Sequence, residues 1–378
     1  MRCWPLLILI VLLFGCDSRA PVTSPARESI LDALGREPDP SFERVTGPRT
    51  HRFPQDHGPH EGYQIEWWYF TGNLTDAQGD PFGFQLTFFR TGLVREQPGR
   101  DSRWAPRHTW MAHLAITDGA GGHFESRERF AREAVGLAGA SGQPFKVWTG
   151  SWSASAVGQG VSPMRLLAGD AGEIGLDLEI DASRPFVLQG DEGYSRKGAD
   201  PGNASHYIAC TRMTAAGTLR IGGREVSVTG LAWMDHEWST SALDPGLVGW
   251  DWFAIQLDDG RDLMVYGLRQ EDGTPGPFSA AAIVTAEGAV TQLAREAFDL
   301  AVLGSWRSPH TDVRYPARWR LRVPGHGIDL DVKPLLADQE HRLAVVYWEG
   351  AIEASARDGS LAGRGYAELV GYAESSGR

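Results

Sequence analysis

Apolar and polar residues alternate with a period of two through short runs that begin near Tyr63 and continue past Phe84, His113, Trp148, Leu176 and Val226. A second series opens at Trp250 and passes through Leu263, Ala280, Trp319, Leu330, Val345 and Tyr366. Side chains alternating in this way stand on opposite faces of β-strands. No long run with helical spacing interrupts either series, so the pattern predicts an all-β protein. One motif occurs in both: Trp67–Asp76 reads WWYFTGNLTD and Trp250–Asp259 reads WDWFAIQLDD. Each copy is followed by a turn glycine, Gly79 or Gly260, and by a second strand-like run ending on Arg90 or Arg269. A repeat of this length predicts two copies of one hairpin, each opening its own β-domain. The copies differ at one place of chemical interest, where Trp68 in the first is Asp251 in the second.

A chain of 378 residues exceeds what one core usually serves. The turn-rich stretch from Ser239 to Gly246 is the best boundary, giving predicted domains at 51–240 and 245–375. So many antiparallel strands must hide their edges, and a closed barrel does so completely. Barrels of about eight strands can hold one apolar ligand. A pair of β-sandwiches fits the same periodicity. The net charge of −12, with no Lys/Arg cluster on an aromatic face, excludes nucleic acid as a partner.

The N-terminus is read as a targeting segment. Arg2 precedes the apolar run Leu6–Phe14, too short to span a bilayer as a helix and of the length of a signal-peptide core. Leu13-Phe14-Gly15-Cys16 resembles a bacterial lipobox, with Phe14 departing from the usual small or β-branched residue. The expectation is a signal peptide at 1–15, lipid attachment at Cys16 and a flexible, Pro-rich linker at 16–50. The protein would then face the periplasm from a bacterial membrane, the inner one if Asp17 acts as it does in enteric lipoproteins. An ordinary secretory signal with an incidental cysteine is the alternative. Cys210 is left without a partner, so the cores must hold the fold without disulfides.

Candidate chemistry follows from the faces. In Gly249–Leu257, Asp251 shares a face with Phe253, Ile255 and Leu257, and a carboxyl group turned inward there has a raised pKa suited to proton donation. In Val226–Trp238, His236 and Trp238 continue an apolar face with Met234, while Asp235 and Glu237 share the other face with Leu231 and Trp233. Asp251, His236 and Trp238 are therefore the candidate catalytic residues, and Trp68, Trp250, Trp252, Phe253 and Tyr266 the candidate ligand-binding wall. The competing reading is that buried His–Asp pairs and Trp-rich floors only satisfy one another. Glu66, Glu349 and Glu368 are read as structural ion pairs at a barrel end, with Arg90, Arg269 and Arg364 available. Asp56-His57-Gly58-Pro59-His60 places two imidazoles three apart, but Gly-Pro forbids the helix that would align them, so no metal is expected. No Gly-x-Ser-x-Gly elbow, Walker loop or dinucleotide fingerprint occurs, and no cofactor is expected.

Several segments together resemble a known family. Asp56-His57-Gly58-x-His60 with Glu66-Trp67-Trp68-Tyr69, then Trp233-Met234-Asp235-His236-Glu237-Trp238, Trp250-Asp251-Trp252-Phe253, Tyr347-Trp348-Glu349-Gly350 and Gly365-Tyr366-Ala367-Glu368-Leu369 are similar to the AttH-like, carotenoid 1,2-hydratase superfamily, over roughly residues 51–373. The resemblance implies two consecutive lipocalin-like antiparallel β-barrels, with apolar polyenes bound near the barrel junction in fungal relatives of that plan. It also implies roles for His236, Trp238 and Asp251, the Asp protonating an isoprenoid double bond before water captures the carbocation. The match to the hydratase branch is looser than to the AttH-like branch. Two functions therefore stand side by side. One is a lipid-anchored binding protein for a hydrophobic small molecule. The other is a cofactor-free hydratase, isomerase or cyclase acting on an isoprenoid or polyene. A partner subunit of an ABC-type transporter is a third.

Overall fold

The computed structural model describes residues 38–95, 106–170, 172–241, 243–244 and 246–375. The predicted signal peptide, Cys16, Asp17 and the linker up to residue 37 lie outside the described residues. Most of what is described is antiparallel strand, in one sheet of 13 strands and a second of 10. The chain passes from the first to the second between Ser239 and Leu247.

The Trp-rich hairpins open the two sheets, as the repeat predicted. Ile65–Thr75 pairs with Pro81–Gly92, and Leu247–Leu257 pairs with Asp262–Gln270. Gly79 and Gly260 take φ of +86° and +88° in the connecting turns, a region that side-chain-bearing residues rarely occupy. The repeat extends beyond the hairpin to the whole topology. In each sheet four strands run in sequence from the opening strand to one edge, a short 3-10 turn follows, and the later strands return from the opposite edge. The last strand then pairs with the opening one: Arg224–Ser239 with Ile65–Thr75, and Ala362–Val370 with Leu247–Leu257. Each sheet is thereby curled into a barrel-like form.

The concave interiors are filled by side chains. Trp68, Phe70, Phe84, Leu86, Leu114 and Met234 belong to the core of the first sheet. Phe253, Ile255, Leu257, Trp319, Leu321 and Trp348 belong to the second. At about 25 cal/mol per Å² of apolar surface removed from water, these two cores are the main source of stability, since Cys210, the one described cysteine, is buried and unpaired.

A third core joins the outer face of the opening and closing strands of the first sheet, with the neighbouring strand Ala204–Ile221, to the outer face of the opening, second and closing strands of the second. Tyr69, Tyr207 and Trp233 meet Trp252, Met264, Tyr266 and Tyr366 there. These strands therefore bury both faces, and their apolar runs are almost continuous. The junction has an approximate two-fold character. Asn73 Nδ2 donates to Gly365 O at 3.0 Å, and Gln256 Nε2 donates to Ala232 O at 2.9 Å and Thr211 O at 2.8 Å. Asn73 and Gln256 occupy the same place in the repeated motif, and Ala232 and Gly365 the same place in the closing strands, opposite Gly72 and Ile255. Gly83 lets the sheets approach closely: a Cβ there would lie 2.7 Å from Ala351 Cβ. Asp262, wholly buried, clamps the far end through Arg184 Nη1 at 2.8 Å and Arg212 Nη2 at 2.6 Å.

Part of the expected linker is packed onto the first sheet. Phe42 and Val45 are buried, and Val45 bridges to Gly202.

Candidate functional site

A pocket of about 140 Å³ lies in the junction between the two sheets. Trp67, Tyr69, Phe89, Trp250, Trp252, Tyr266 and Leu268 form its apolar walls, and Lys197, Asp235, Glu237 and Glu368 bring charge-bearing groups into it. The opening strands place Trp67 with Tyr69 and Trp250 with Trp252 on their outer faces, two residues apart as the pleat requires. Tyr69 and Trp252 meet edge to face across the junction, ring centres 5.2 Å apart.

The closing strands supply the acids. Asp235 stands opposite Tyr69, and Glu368 opposite Trp252, so the two acids hold equivalent places in the two sheets. Asp235 is buried. Trp233 Nε1 donates to its Oδ1 at 2.7 Å, and the Tyr207 hydroxyl lies 2.7 Å from its Oδ2. Burial pushes Asp235 up to about 8, outweighing two hydrogen bonds that favour the ionised form. Burial pushes Glu368 up to about 7, with the charge of Glu237 acting in the same direction. Trp250 Nε1 donates to Glu368 Oε2 at 2.8 Å. Behind this wall, Tyr69 donates its hydroxyl to Glu349 Oε1 at 2.5 Å. Burial and then the nearby Glu368 carboxyl raise Glu349 well above the usual carboxylate range.

Glu237 differs from these acids. Ser205 donates to its Oε2, and Lys197 Nζ lies 3.6 Å away. Burial works against the Lys197 charge, but Glu237, Tyr266 and Asp235 together outweigh it and hold the ammonium above its ordinary value. Lys197 Nζ also sits 4.0 Å from the centre of the Tyr266 ring. The pocket thus combines carboxyl groups that burial pushes toward the neutral form, one acid lying against an ammonium, and electron-rich rings. That set can give a proton, accept one and steady a cation between the two events.

The residues singled out in the sequence divide among three places. Trp250, Trp252 and Tyr266 line the pocket. Trp68 and Phe253 do not, because they point into the filled cores. His236 and Trp238 point into the end of the first sheet. There His236 Nε2 lies 2.9 Å from Glu66 Oε1, His60 Nδ1 lies 2.7 Å from the same oxygen, and Arg90 Nε donates to Glu66 Oε2 at 2.9 Å. The His60 and Trp238 rings stack 3.6 Å apart, and His236 stacks on Trp68 at 4.7 Å. Burial lowers His236 to about 4, whereas Glu66 and Asp56 overcome burial and raise His60. His60, Glu66 and His236 present ligand atoms close enough together for a metal ion, but the Arg90 guanidinium already supplies positive charge to Glu66.

Asp251 is buried on the strand face it shares with Phe253, Ile255 and Leu257, as its strand position predicted. Its carboxylate meets Arg269 Nη1 at 2.8 Å and accepts from the Tyr372 hydroxyl at 2.9 Å. Burial raises its pKa while Arg269 and Tyr372 oppose the rise. His236, Trp238 and Asp251 are therefore not assembled into one site, and Asp251 does not line the pocket. The repeat explains its presence. Arg90 stands opposite Glu66, and Arg269 stands opposite Gly249 at the same place in the second hairpin. A Cβ on Gly249, whose φ is +153°, would lie 2.0 Å from Val370 O and 2.6 Å from Arg269 Nη2, which donates to that carbonyl. The glycine leaves room for the carbonyl and the arginine together, and the acid that pairs with the arginine stands two residues along, at Asp251.

Glu349 and Glu368 also depart from expectation, since neither has an ion-pair partner among the described residues. Their neighbours are hydroxyls and an indole. Asp235, Glu237, Glu368, Tyr69 and Lys197 were not selected from the sequence. A signal for two of them was present. Trp233-x-Asp235 and Tyr366-x-Glu368 repeat an aromatic-x-acid spacing in the closing strands, as the opening hairpins repeat theirs.

A family model described as AttH-like matches residues 44–372. A crystal structure assigned as AttH from Nitrosomonas europaea is similar to this chain with a TM-score of 0.77 at 34% identity, over 88% of this chain and 100% of that one. Kievitone hydratase from Nectria haematococca is similar in fold, with a TM-score of 0.62 at 14% identity, over 87% of this chain and 98% of that one. In sequence, kievitone hydratase from Fusarium solani subsp. phaseoli is 22% identical over 183 residues, 48% of this chain and 50% of that enzyme. The aligned stretch spans only half the length of that relative.

Proposed function

This chain belongs to the AttH-like family, and from that premise we propose that it is a hydratase-type enzyme that adds water across a carbon–carbon double bond of an apolar ligand held in the junction pocket. The observation that carries the proposal is a buried carboxyl group, Glu368, pushed up to about 7, sharing an aromatic-walled pocket with Glu237, which lies 3.6 Å from the Lys197 ammonium. Two carboxyl groups in such different surroundings are suited to separate acid and base roles. The likeness to kievitone hydratase supports the same class of chemistry.

In the proposed reaction the Glu368 carboxyl gives its proton to one alkene carbon. The π electrons form the new C–H bond, leaving a carbocation on the other carbon. The faces of Trp67, Trp250, Trp252 and Tyr266 steady that charge. Water attacks the cation, and the Glu237 carboxylate takes the proton that the new C–O bond releases. Proton return from Glu237 to Glu368 through solvent restores the starting state. Asp235 remains neutral and holds Trp233 and Tyr207 in place behind the wall. Acid, base and cation-stabilising surfaces all come from the chain itself, so the reaction draws on no cofactor.

The test is incubation of the purified protein with a panel of isoprenoid and prenylated alkenes, scored by mass spectrometry for the gain of one water. With an accepted alkene, Glu368→Gln should lower turnover by about 10²–10⁴-fold while ligand affinity stays within a few-fold, the range for loss of a general acid. Wild-type turnover should fall as pH rises through about 7, because the acid must hold its proton. Unchanged turnover in Glu368→Gln would remove Glu368 from the reaction. Tight binding with no water gain from any alkene would support the second reading, a carrier using the same apolar walls.

A further inference from the structure

The junction is nearly two-fold in its chemistry except at one place. Asp235 answers Glu368, Trp67 answers Trp250, and Tyr69 answers Trp252. Glu237, opposite Trp67, answers Val370, opposite Trp250. The fold therefore accommodates a plain apolar residue where the first sheet carries a carboxylate, and that carboxylate brings Lys197 with it. The framework does not demand the Lys197–Glu237 pair.

Lys197 is held at the backbone, where its N–H donates to Asn203 O at 2.9 Å. Its side chain is about four-fifths buried. An ammonium carries three donors and no acceptor. Among the described residues Glu237 is the carboxylate within ion-pair distance of it, Asp235 acts on it from farther off, and the rings of Tyr266 and Tyr207 lie at 4.0 and 5.5 Å. Rings attract the charge but offer no lone pair in the plane of a hydrogen bond. A pure hydrocarbon in the pocket would cover these donors without satisfying them, which is costly for a charged group. A ligand oxygen at the same place would complete the ammonium's shell.

We propose that Lys197 is a specificity-determining residue, and that the ligand of the junction pocket is an alkene bearing a hydrogen-bond-accepting oxygen, such as a ketone or phenol, rather than a pure hydrocarbon polyene. This rests on the reading of the pocket as the ligand site. The oxygen docks on Lys197 at the Tyr266 side and orients the molecule, which fixes the double bond presented to Glu368.

Isothermal titration of the full chain with geranylacetone, and with the diene of the same skeleton in which a methylene replaces the carbonyl, tests this. Wild type should bind the ketone at least about tenfold more tightly, the discrimination of one charge-assisted hydrogen bond. Lys197→Met should lose that preference while binding the hydrocarbon as before. If Lys197→Met unfolds through the uncovered Glu237, the double variant Lys197→Met/Glu237→Gln removes both charges and should show the same loss of preference. Equal affinities in wild type, or a preference that survives in these variants, would overturn the role of Lys197 and leave the pocket assignment standing. Binding of neither probe to wild type would overturn the pocket assignment and this inference together.

Discussion

Glu66 and Asp251 each lie against an arginine, whereas Asp235, Glu349 and Glu368 lie against phenols and indoles. The first two are ion-paired parts of the framework, and the last three are driven toward the neutral acid by burial, with no arginine beside them among the described residues. Breaking a buried pair leaves a charge without its partner, at a cost of about 3–5 kcal/mol. Asp251→Asn should therefore lower unfolding free energy in urea by about that much, with Arg269 stranded. Asp251→Asn/Arg269→Met, which removes both charges, should recover most of the loss. A fully stable Asp251→Asn that has lost activity would instead give Asp251 a part in the reaction. The sequence located this acid and its apolar face correctly. Its arginine was invisible there, because the pairing depends on the register of two strands and on the space that Gly249 leaves.

At the scale of the strand, the repeated hairpin was legible because its period, turn glycines and terminal arginines recur together. What the period could not reveal was which face belongs to the ligand. Alternation separates two faces cleanly only when one of them meets water. In the opening and closing strands both faces are buried, one in a sheet's own core and one in the junction. His236 and Trp238 are as enclosed as Asp235 and Glu237, so burial alone gave no reason to prefer the outer face. The shared [Asn/Gln] of the motif proves to be the reciprocal tie across the junction. Gln256→Leu would leave the Thr211 and Ala232 carbonyls without this donor, and should cost about 1–3 kcal/mol in urea unfolding. No measurable loss would mean that the tie adds nothing to the packing around it.

For the whole molecule, two similar curled sheets create at their contact something neither holds alone. Each interior is packed with side chains, and the pocket forms where Trp67 and Tyr69 of one opening strand face Trp250 and Trp252 of the other. The acids at equivalent places, Asp235 and Glu368, follow from the same relation, and the Lys197–Glu237 pair gives the site its direction. A crystal structure of the full chain with geranylacetone tests the central claim most directly. The ligand should lie between Trp67, Trp250 and Trp252, its oxygen toward Lys197 and a double bond toward Glu368. Ligand density inside either curled sheet, beside His236 and Trp238 or beside Asp251, would contradict it.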